Sequence, residues 1–145
     1  MKVYIGTDHR GVETQNKIVN YLKDLGIDIN ISKLKHNDND DYPDFAFDVC
    51  KRVVDNKNSL GILICGTGIG MSIALNKMKG IYCAKVSNES EAILCKAHNN
   101  VNCIAISEEL DEDLMLDIVD KFINTPFTNV SKYIRRNDMI KELEK

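Results

Sequence analysis

Apolar residues along the chain alternate between short continuous runs and segments in which they recur every three or four positions. A short run rich in Val and Ile is typical of a buried strand, and the wider spacing is typical of one face of a helix. The strands predicted in this way cover residues 2–7, 27–31, 60–65, 81–86 and 101–106. The almost wholly apolar run at 60–65 favours a central strand that is covered on both faces.

A helical pattern follows each predicted strand. The predicted helices cover residues 11–25, a segment that begins at Pro43, the segment from the glycine-rich turn to Gly80, and residues 88–97, 111–122 and 131–143. Strands that alternate with helices predict right-handed βαβ units and a five-stranded parallel sheet with helices on both faces. The expected fold is therefore an α/β sandwich in a single domain over residues 1–145. Ligands bind such sheets beyond the carboxyl ends of the strands.

Composition narrows the class of protein. The 145 residues are 43% hydrophobic and 28% charged, as expected for a globular domain, and the net charge of −3 gives no sign of nucleic acid or an anionic membrane as a partner. No apolar run approaches the roughly 20 residues that a membrane-spanning helix needs. The N-terminus is too polar for a signal peptide. The composition is thus that of a soluble globular protein.

The cysteines indicate a reducing compartment. There are five of them, an odd number without a Cys-x-x-Cys pair, which argues against a disulfide framework and against a zinc site. The expected location is the cytoplasm. Cys50, Cys83, Cys95 and Cys103 have apolar neighbours and are predicted to be small core residues. Cys65 differs because a glycine-rich turn follows it directly.

The glycine-rich turn reads Cys-Gly-Thr-Gly-Ile-Gly over residues 65–70 and holds three of the chain's eight glycines. It is not a known nucleotide-binding motif. The chain has no Gly-Lys pair, which a P-loop requires, and Met71 occupies the place of the last glycine of the dinucleotide fingerprint. The function of the turn must therefore be inferred from its chemistry.

That chemistry suits a developing anion. Glycines let the backbone approach a ligand closely, and the first N–H groups of the next helix are unpaired and electropositive. A helix N-terminus also favours the thiolate form of a cysteine, and the hydroxyl of Thr67 can donate to the same oxygen. A thiolate base beside such a nest suits proton abstraction next to a carbonyl, through an enediolate. The simpler interpretation is a tight strand-to-helix turn with Cys65 buried.

Histidines supply the other candidate acid–base groups. His98 and Asn99 end the fourth predicted helix. A histidine there is often only a surface residue, but it could act as a general acid that opens a sugar ring. Asp8 and His9 follow the first strand, where a ligand is expected, although Asp8 could instead cap the next helix. No role is predicted for His36.

Five short motifs occur in a distinctive order: Thr-Asp-His-Arg-Gly at 7–11, Asp-Tyr-Pro at 41–43, the turn at 65–70, Asn-Lys at 76–77 and His-Asn-Asn at 98–100. In this order and spacing they resemble the ribose-5-phosphate isomerase B / galactose-6-phosphate isomerase family. The resemblance covers nearly the whole chain. It implies a Rossmann-like three-layer sandwich that interconverts an aldose phosphate and a ketose phosphate without a metal or organic cofactor. It also implies a homo-oligomer, a dimer or a tetramer, with active sites at the subunit interface.

The resemblance also implies roles for particular residues. Cys65 would move the proton between C1 and C2, His98 would open the sugar ring, and Thr67 would help the turn to hold the enediolate oxygens. The backbone of the turn would supply the remaining contacts to these oxygens, from Gly66, Gly68, Ile69 and Gly70. Sugar hydroxyls would be bound by Asp8, Tyr42 and Asn99, and His9 would lie near the phosphate.

The chain departs from the family pattern where the phosphate should bind. The family carries an arginine after the fifth strand, in a segment such as Gly-Ser-Arg, and this chain has Glu109 there. Near the C-terminus, Lys132 and Arg136 fall at the two positions of the pattern Arg-His-x-x-Arg. Lysine keeps the charge but loses the bidentate fork that suits a phosphate. On its own, this basic stretch would be an ordinary solvated helix face.

Three functions follow from these observations. The first is isomerisation of ribose 5-phosphate, a reaction of the pentose phosphate pathway, because a five-carbon aldose phosphate closes to a furanose that His98 could open. The second is isomerisation of galactose 6-phosphate or another six-carbon aldose phosphate on the same scaffold. The third is a non-catalytic sugar-phosphate binding module, which the carboxylate of Glu109 motivates.

Overall fold

The computed structural model describes residues 1–145, and its centre is one sheet of five strands: β1 (Lys2–Thr7), β2 (Asp28–Ile31), β3 (Ser59–Cys65), β4 (Cys83–Lys85) and β5 (Cys103–Ser107). The strands are all parallel and lie in the order β2-β1-β3-β5-β4. Parallel strands need crossover connections, and a helix supplies each of them. The predicted five-stranded parallel sheet is confirmed.

Six helices cover the sheet and extend beyond it: α1 (Val12–Asp24), α2 (Tyr42–Asp55), α3 (Ile69–Asn76), α4 (Glu89–Asn99), α5 (Glu112–Asn124) and α6 (Ser131–Glu142). The apolar faces of α1, α4 and α5 form one core with the sheet, and those of α2 and α3 form a second core on the opposite face. The predicted three layers are therefore confirmed. None of these helices has the length and apolar character that crossing a membrane would require.

The central strand β3 is buried along its whole length. Its seven residues all lie below the surface, between the two helical layers. Ile62 and Ile64 belong to the core with α1, α4 and α5, and Leu63 and Cys65 belong to the core with α2 and α3. This alternation explains why the sequence there is almost wholly apolar.

The strand order reverses beside β3, because β2 lies on one side of β1 and β3 lies on the other. Such a reversal opens a crevice beyond the carboxyl ends of the strands. Thr7 pairs in register with Ile64, and Cys65 pairs with Ser107. The segments that leave β1, β3 and β5 therefore emerge side by side at this edge of the sheet.

Two elements are shorter than the sequence predicts. Helix α3 stops at Asn76 rather than at Gly80, because the Asn76 side chain bonds the backbone of Cys83, accepting from its N–H at 2.8 Å and donating to its carbonyl at 2.9 Å. The fourth strand begins at Cys83 rather than at residue 81. Cys83 is also only half-buried, unlike the other three cysteines that were predicted to be core residues.

The last helix, α6, lies outside both cores. It was predicted to be amphipathic, but none of its side chains is buried, and its main neighbour is α4. Asn137 of α6 fixes it there by donating to the carbonyl of His98 in α4 at 2.9 Å. Ile134, Met139 and Ile140 remain exposed. The apolar side of α6 thus has no partner within the chain.

Candidate active site

The turn after β3 places a thiol against backbone N–H groups. Cys65 is the last residue of β3 and only 5% exposed, and the N–H of Gly68 donates to its Sγ at 3.2 Å. The N–H of Ile69 donates to the hydroxyl oxygen of Thr67 at 3.1 Å, which leaves the hydroxyl proton of Thr67 able to donate elsewhere. The turn is therefore tight and its cysteine is buried, as the simpler interpretation predicts, but the sulfur is also in contact with the nest.

Several N–H groups of this nest have no acceptor within the chain. They belong to Gly66, Thr67, Gly70 and Met71, at and just before the first turn of α3. Unpaired N–H groups at a helix N-terminus carry partial positive charge and favour an anion. The turn therefore offers a set of donors to an oxyanion that forms beside Cys65.

Two of the glycines leave space for side chains from distant parts of the chain. A Cβ added to Gly70 would lie 2.5 Å from Cζ and Oη of Tyr42, and one added to Gly66 would lie 3.3 Å from Nη1 of Arg10. Tyr42 is the first residue of α2, where Pro43 follows it as predicted. Both glycines thus bring polar side chains directly onto the nest.

Position 68 requires glycine for its backbone conformation as well as for lack of space. Its φ is +83°, in the left-handed region, and an added Cβ would lie 3.2 Å from the carbonyl carbon of Ile106. We expect Gly68→Ala to lower the free energy of unfolding by more than the roughly 1–2 kcal/mol that this φ costs an L-residue. Urea unfolding measures the difference. Gly26→Ala is the matched control, since Gly26 has φ +76° and no neighbour within 4 Å of an added Cβ. Equal losses in the two variants would show that the backbone of β5 yields.

Asp8 and His9 leave β1 at the level of Cys65. Asp8 is 8% exposed, and its carboxylate accepts from the N–H of Arg10 at 3.1 Å, so it does cap the short 3-10 turn His9–Gly11. The ring Nδ1 of His9 lies 2.6 Å from Oδ1 of Asp40, which also accepts from the N–H of His9 at 3.1 Å. Asp40 therefore fixes both the backbone and the ring of His9.

The charges of this pair depend on one another. The side-chain hydrogen bond to Asp40 raises the pKa of His9 above its ordinary value of 6.5. Burial alone would raise the pKa of Asp40, but the hydrogen bonds from the side chain and backbone of His9 hold it below its ordinary value. A protonated His9 beside an ionised Asp40 is thus favoured near neutral pH.

Three residues of this edge were not singled out from the sequence. Arg10 forms an ion pair with Glu108, with Nη2 at 3.2 Å from Oε1, and Asp40 holds His9. The N–H of Glu108 donates to the carbonyl of Cys65 at 3.0 Å. A sequence signal for Arg10 and Glu108 existed, since Arg10 lies three residues after the end of β1 and Glu108 lies directly after the end of β5. Asp40 lies in a polar loop with three other Asp residues nearby, and nothing in the pattern distinguishes it from them.

The remaining predicted residues lie at the opposite edge of the sheet. His98 and Asn99 are in the last turn of α4, shortly before β5 begins at Cys103. Cys103 pairs with Gly61, near the start of β3. Cys65 is four residues further along β3, about 13 Å at 3.3 Å per residue. Tyr133 of α6 stacks on the His98 ring with centroids 4.4 Å apart, and the Asn99 amide donates to Asn137.

Lys132 and Arg136 are exposed on α6, next to this second group. One chain therefore brings together Asp8, His9, Tyr42 and the turn at 65–70, and it separately brings together His98, Asn99, Lys132 and Arg136. A cavity of about 1200 Å³ at the opposite edge is lined by Asn99 and by no residue of the first group. No group of three His, Cys, Asp or Glu side chains is placed to hold a metal ion.

Comparison with known proteins gives a consistent result. The family described as Ribose/Galactose Isomerase matches residues 3–140. Ribose-5-phosphate isomerase B of Mycobacterium tuberculosis is 37% identical, over 100% of this chain and 91% of that protein. The ribose-5-phosphate isomerase B of Mycoplasma genitalium, solved with bound ribulose-5-phosphate, superposes with a TM-score of 0.92 at 36% identity, over 99% of this chain and 95% of that one. The Clostridium thermocellum enzyme of the same name superposes with a TM-score of 0.93 at 36% identity, over 99% and 97%.

Proposed function

The chain belongs to the ribose/galactose isomerase family, and we propose that it interconverts ribose 5-phosphate and ribulose 5-phosphate by proton transfer through an enediolate. It is an aldose–ketose isomerase. The observation that carries the choice of mechanism is the contact between the Cys65 sulfur and the nest, with the Gly68 N–H donating to Sγ at 3.2 Å. The full-length likeness to ribose-5-phosphate isomerases B supports the five-carbon substrate.

Cys65 acts as the base in this mechanism. Its thiolate removes the proton from C2 of the open-chain aldose, the C2–H electrons form a C1=C2 double bond, and negative charge moves to the oxygen on C1. The unpaired N–H groups of the nest stabilise that charge, and Thr67 donates its hydroxyl proton. The Cys65 thiol then returns the proton to C1, and the hydroxyl proton on the C2 oxygen passes to the oxygen on C1, so that C2 becomes the ketone and C1 the alcohol. No redox partner is required, since the two carbons exchange oxidation states.

A second copy of the chain completes the site in this proposal. His98, Asn99, Lys132 and Arg136 lie at the edge of the sheet that is remote from Cys65, so they reach a substrate at the nest only from another subunit. His98 then opens the furanose, and Lys132 and Arg136 add positive charge near the phosphate. The exposed Ile69 and Ile73 on α3, 53% and 58% exposed, provide apolar surface beside the nest for such a partner.

We expect the Michaelis constant to report the charge of His9. If the His9 cation contacts the substrate phosphate, KM for ribose 5-phosphate rises as pH increases through the raised pKa of His9, because deprotonation removes the positive charge. In Asp40→Asn the hydrogen bond and charge that raise this pKa are weakened, so the rise in KM begins at a lower pH. Steady-state kinetics from pH 5.5 to 9 in both proteins measure the shift.

Comparison of the two proteins cancels the effect of substrate titration on KM, because the phosphate group of the substrate titrates identically in both assays. Asp44→Asn is the control, because Asp44 is an exposed residue of the first turn of α2. Superimposable KM profiles for the unmodified protein and Asp40→Asn would rule out a role for the His9 cation in binding.

The proposed reaction is tested by mixing purified protein with ribose 5-phosphate in buffer that contains EDTA, and by following ribulose 5-phosphate with time. The family description covers galactose as well, so galactose 6-phosphate and other six-carbon aldose phosphates are assayed in parallel. A kcat/KM that is higher for a six-carbon substrate would replace the five-carbon proposal. We also propose a cytoplasmic location, which the five free cysteines support.

A further inference from the structure

The edge that holds the nest carries few cations of its own. His9 and Arg10 follow β1, no charged residue follows β3 within the turn, and Glu108 and Glu109 follow β5. A sugar phosphate bound here would meet two carboxylates where the sequence pattern of the family has an arginine. A cation from another segment must offset these charges if a phosphate is to bind.

Arg10 has the geometry for this task. Its guanidinium lies over Gly66, since an added Cβ there would be 3.3 Å from Nη1, 3.5 Å from Cζ and 3.6 Å from Nη2. These nearly equal distances place the guanidinium plane flat against the glycine. Glu108 engages only Nη2, and no other acceptor in the chain contacts the Arg10 side chain, which is 57% exposed. Most of its five N–H donors therefore remain available to a ligand.

Glu108 is itself fixed in place and can therefore hold Arg10 in this position. Its side chain is 15% exposed, its N–H donates to the carbonyl of Cys65, and its own carbonyl accepts from the hydroxyl of Thr14 at 3.4 Å. Its Oε2 is buried without a hydrogen-bond partner, so Arg10 is the one cation that compensates this carboxylate. Because the Glu108 backbone is held by these contacts and its side chain is largely buried, the ion pair places the Arg10 guanidinium against a fixed partner.

We propose that Arg10 binds the phosphate of the substrate and that Glu108 is the positioning residue that holds Arg10 against Gly66. Arg10 thereby supplies, from the end of β1, the positive charge that Glu109 fails to supply at the end of β5. This inference rests on the proposed function for the identity of the sugar phosphate. That the ligand of Arg10 is an anion is inferred from the guanidinium N–H donors that have no acceptor in the chain.

The test compares Arg10→Gln with the unmodified protein. We expect KM for ribose 5-phosphate and the inhibition constant of inorganic phosphate to rise together by about 10- to 100-fold, as loss of a charge-assisted hydrogen bond implies, while kcat changes less than about threefold. Arg10→Lys keeps the charge without the fork and should fall between the two. Arg52→Gln is the matched control, because Arg52 also pairs with a carboxylate, that of Asp48 at 3.4 Å, but on α2.

A second variant separates binding from folding. Arg10→Gln leaves the Glu108 carboxylate without its cation, so the double variant Arg10→Gln/Glu108→Gln removes both charges; it should recover stability while KM and the phosphate inhibition constant stay high. Unchanged phosphate inhibition in Arg10→Gln, with a fall in kcat alone, would overturn the inference in favour of a role at the enediolate.

The two proposals fail in different ways. If the unmodified protein turns over no ribose 5-phosphate, the proposed function is wrong, and inorganic phosphate titrated by calorimetry into the same variants still tests Arg10. Phosphate binding that weakens in Arg10→Gln and in the double variant, but not in Arg52→Gln, would then support the anion site. Absence of phosphate binding to the unmodified protein at millimolar concentration would overturn it.

Discussion

Cys65→Ala is expected to lower kcat for ribose 5-phosphate isomerisation by about 10²- to 10⁴-fold, because a positioned base contributes a factor of this size. KM should change little, since in the proposed mechanism the sulfur acts on the reacting carbons and not on the phosphate. The assay follows ribulose 5-phosphate in the presence of EDTA. Cys65→Ser is measured alongside. Serine keeps an acceptor for the Gly68 N–H, which donates to Sγ in the unmodified protein, but its hydroxyl is not ionised near neutral pH and so supplies no anionic base.

Cys83→Ala is the control for this experiment. Cys83 is half-buried in the edge strand β4. It belongs neither to the nest nor to the group of His98, Asn99, Lys132 and Arg136 on α4 and α6. It should retain the activity of the unmodified protein, and circular dichroism should show the same fold for all three variants. Full activity in Cys65→Ser and Cys65→Ala would assign the proton transfer to another group. Tight binding of ribose 5-phosphate by a protein that never turns it over would indicate the binding module instead.

Cys65→Ala and His98→Gln should each be inactive alone and partly active when mixed. The two residues lie at opposite edges of one sheet, so a site that uses both draws them from two copies. In a mixed dimer, one site receives both substitutions and the other receives neither. Random exchange therefore restores about a quarter of the sites, as expected for a two-fold symmetric interface. Co-expression with two different tags, followed by activity measurement, tests this.

The matched control mixes Cys65→Ala with the double variant Cys65→Ala/His98→Gln, which can form no intact site and should stay inactive. Failure to recover activity, in a preparation where pull-down through one tag demonstrates mixed oligomers, would contradict a shared site. Activity in His98→Gln alone at the level of the unmodified protein would show that ring opening does not depend on His98.

Much of the fold could be predicted because the local pattern and the buried environment agree. The apolar run of β3 is buried on both faces, and helix α4 begins beside residue 88, as predicted, because the Asn88 side chain caps it by accepting from the N–H of Glu91 at 2.8 Å. Predictions were less accurate where a single tertiary contact determines where a helix ends or packs. Asn76 ends α3 through its bonds to Cys83, and no local propensity indicates that contact. Likewise, α6 has the length of a core helix but packs on α4 through Asn137 and the ring of Tyr133 rather than through buried apolar side chains.

The site shows the same division. The position of Cys65, Asp8 and His9 at one edge follows from strand ends alone, and the structure brings these residues together with Tyr42. The separation of His98 from Cys65 follows from the direction of α4, which returns the chain to the start of β5. The role of Asp40 could not be predicted, because its 2.6 Å contact with His9 joins residues 31 positions apart.

The three glycines of the turn impose different rules on how related sequences can diverge. A side chain at position 66 or 70 becomes tolerable if Arg10 or Tyr42, respectively, is replaced by a smaller residue, because each of these glycines is crowded only by a side chain. No substitution of a neighbouring side chain can make room at position 68, since the nearest atoms are backbone atoms of Ala105 and Ile106. Its φ of +83° also disfavours any residue with a side chain. In an alignment of homologues, positions 66 and 70 should therefore covary with positions 10 and 42, whereas position 68 should remain glycine.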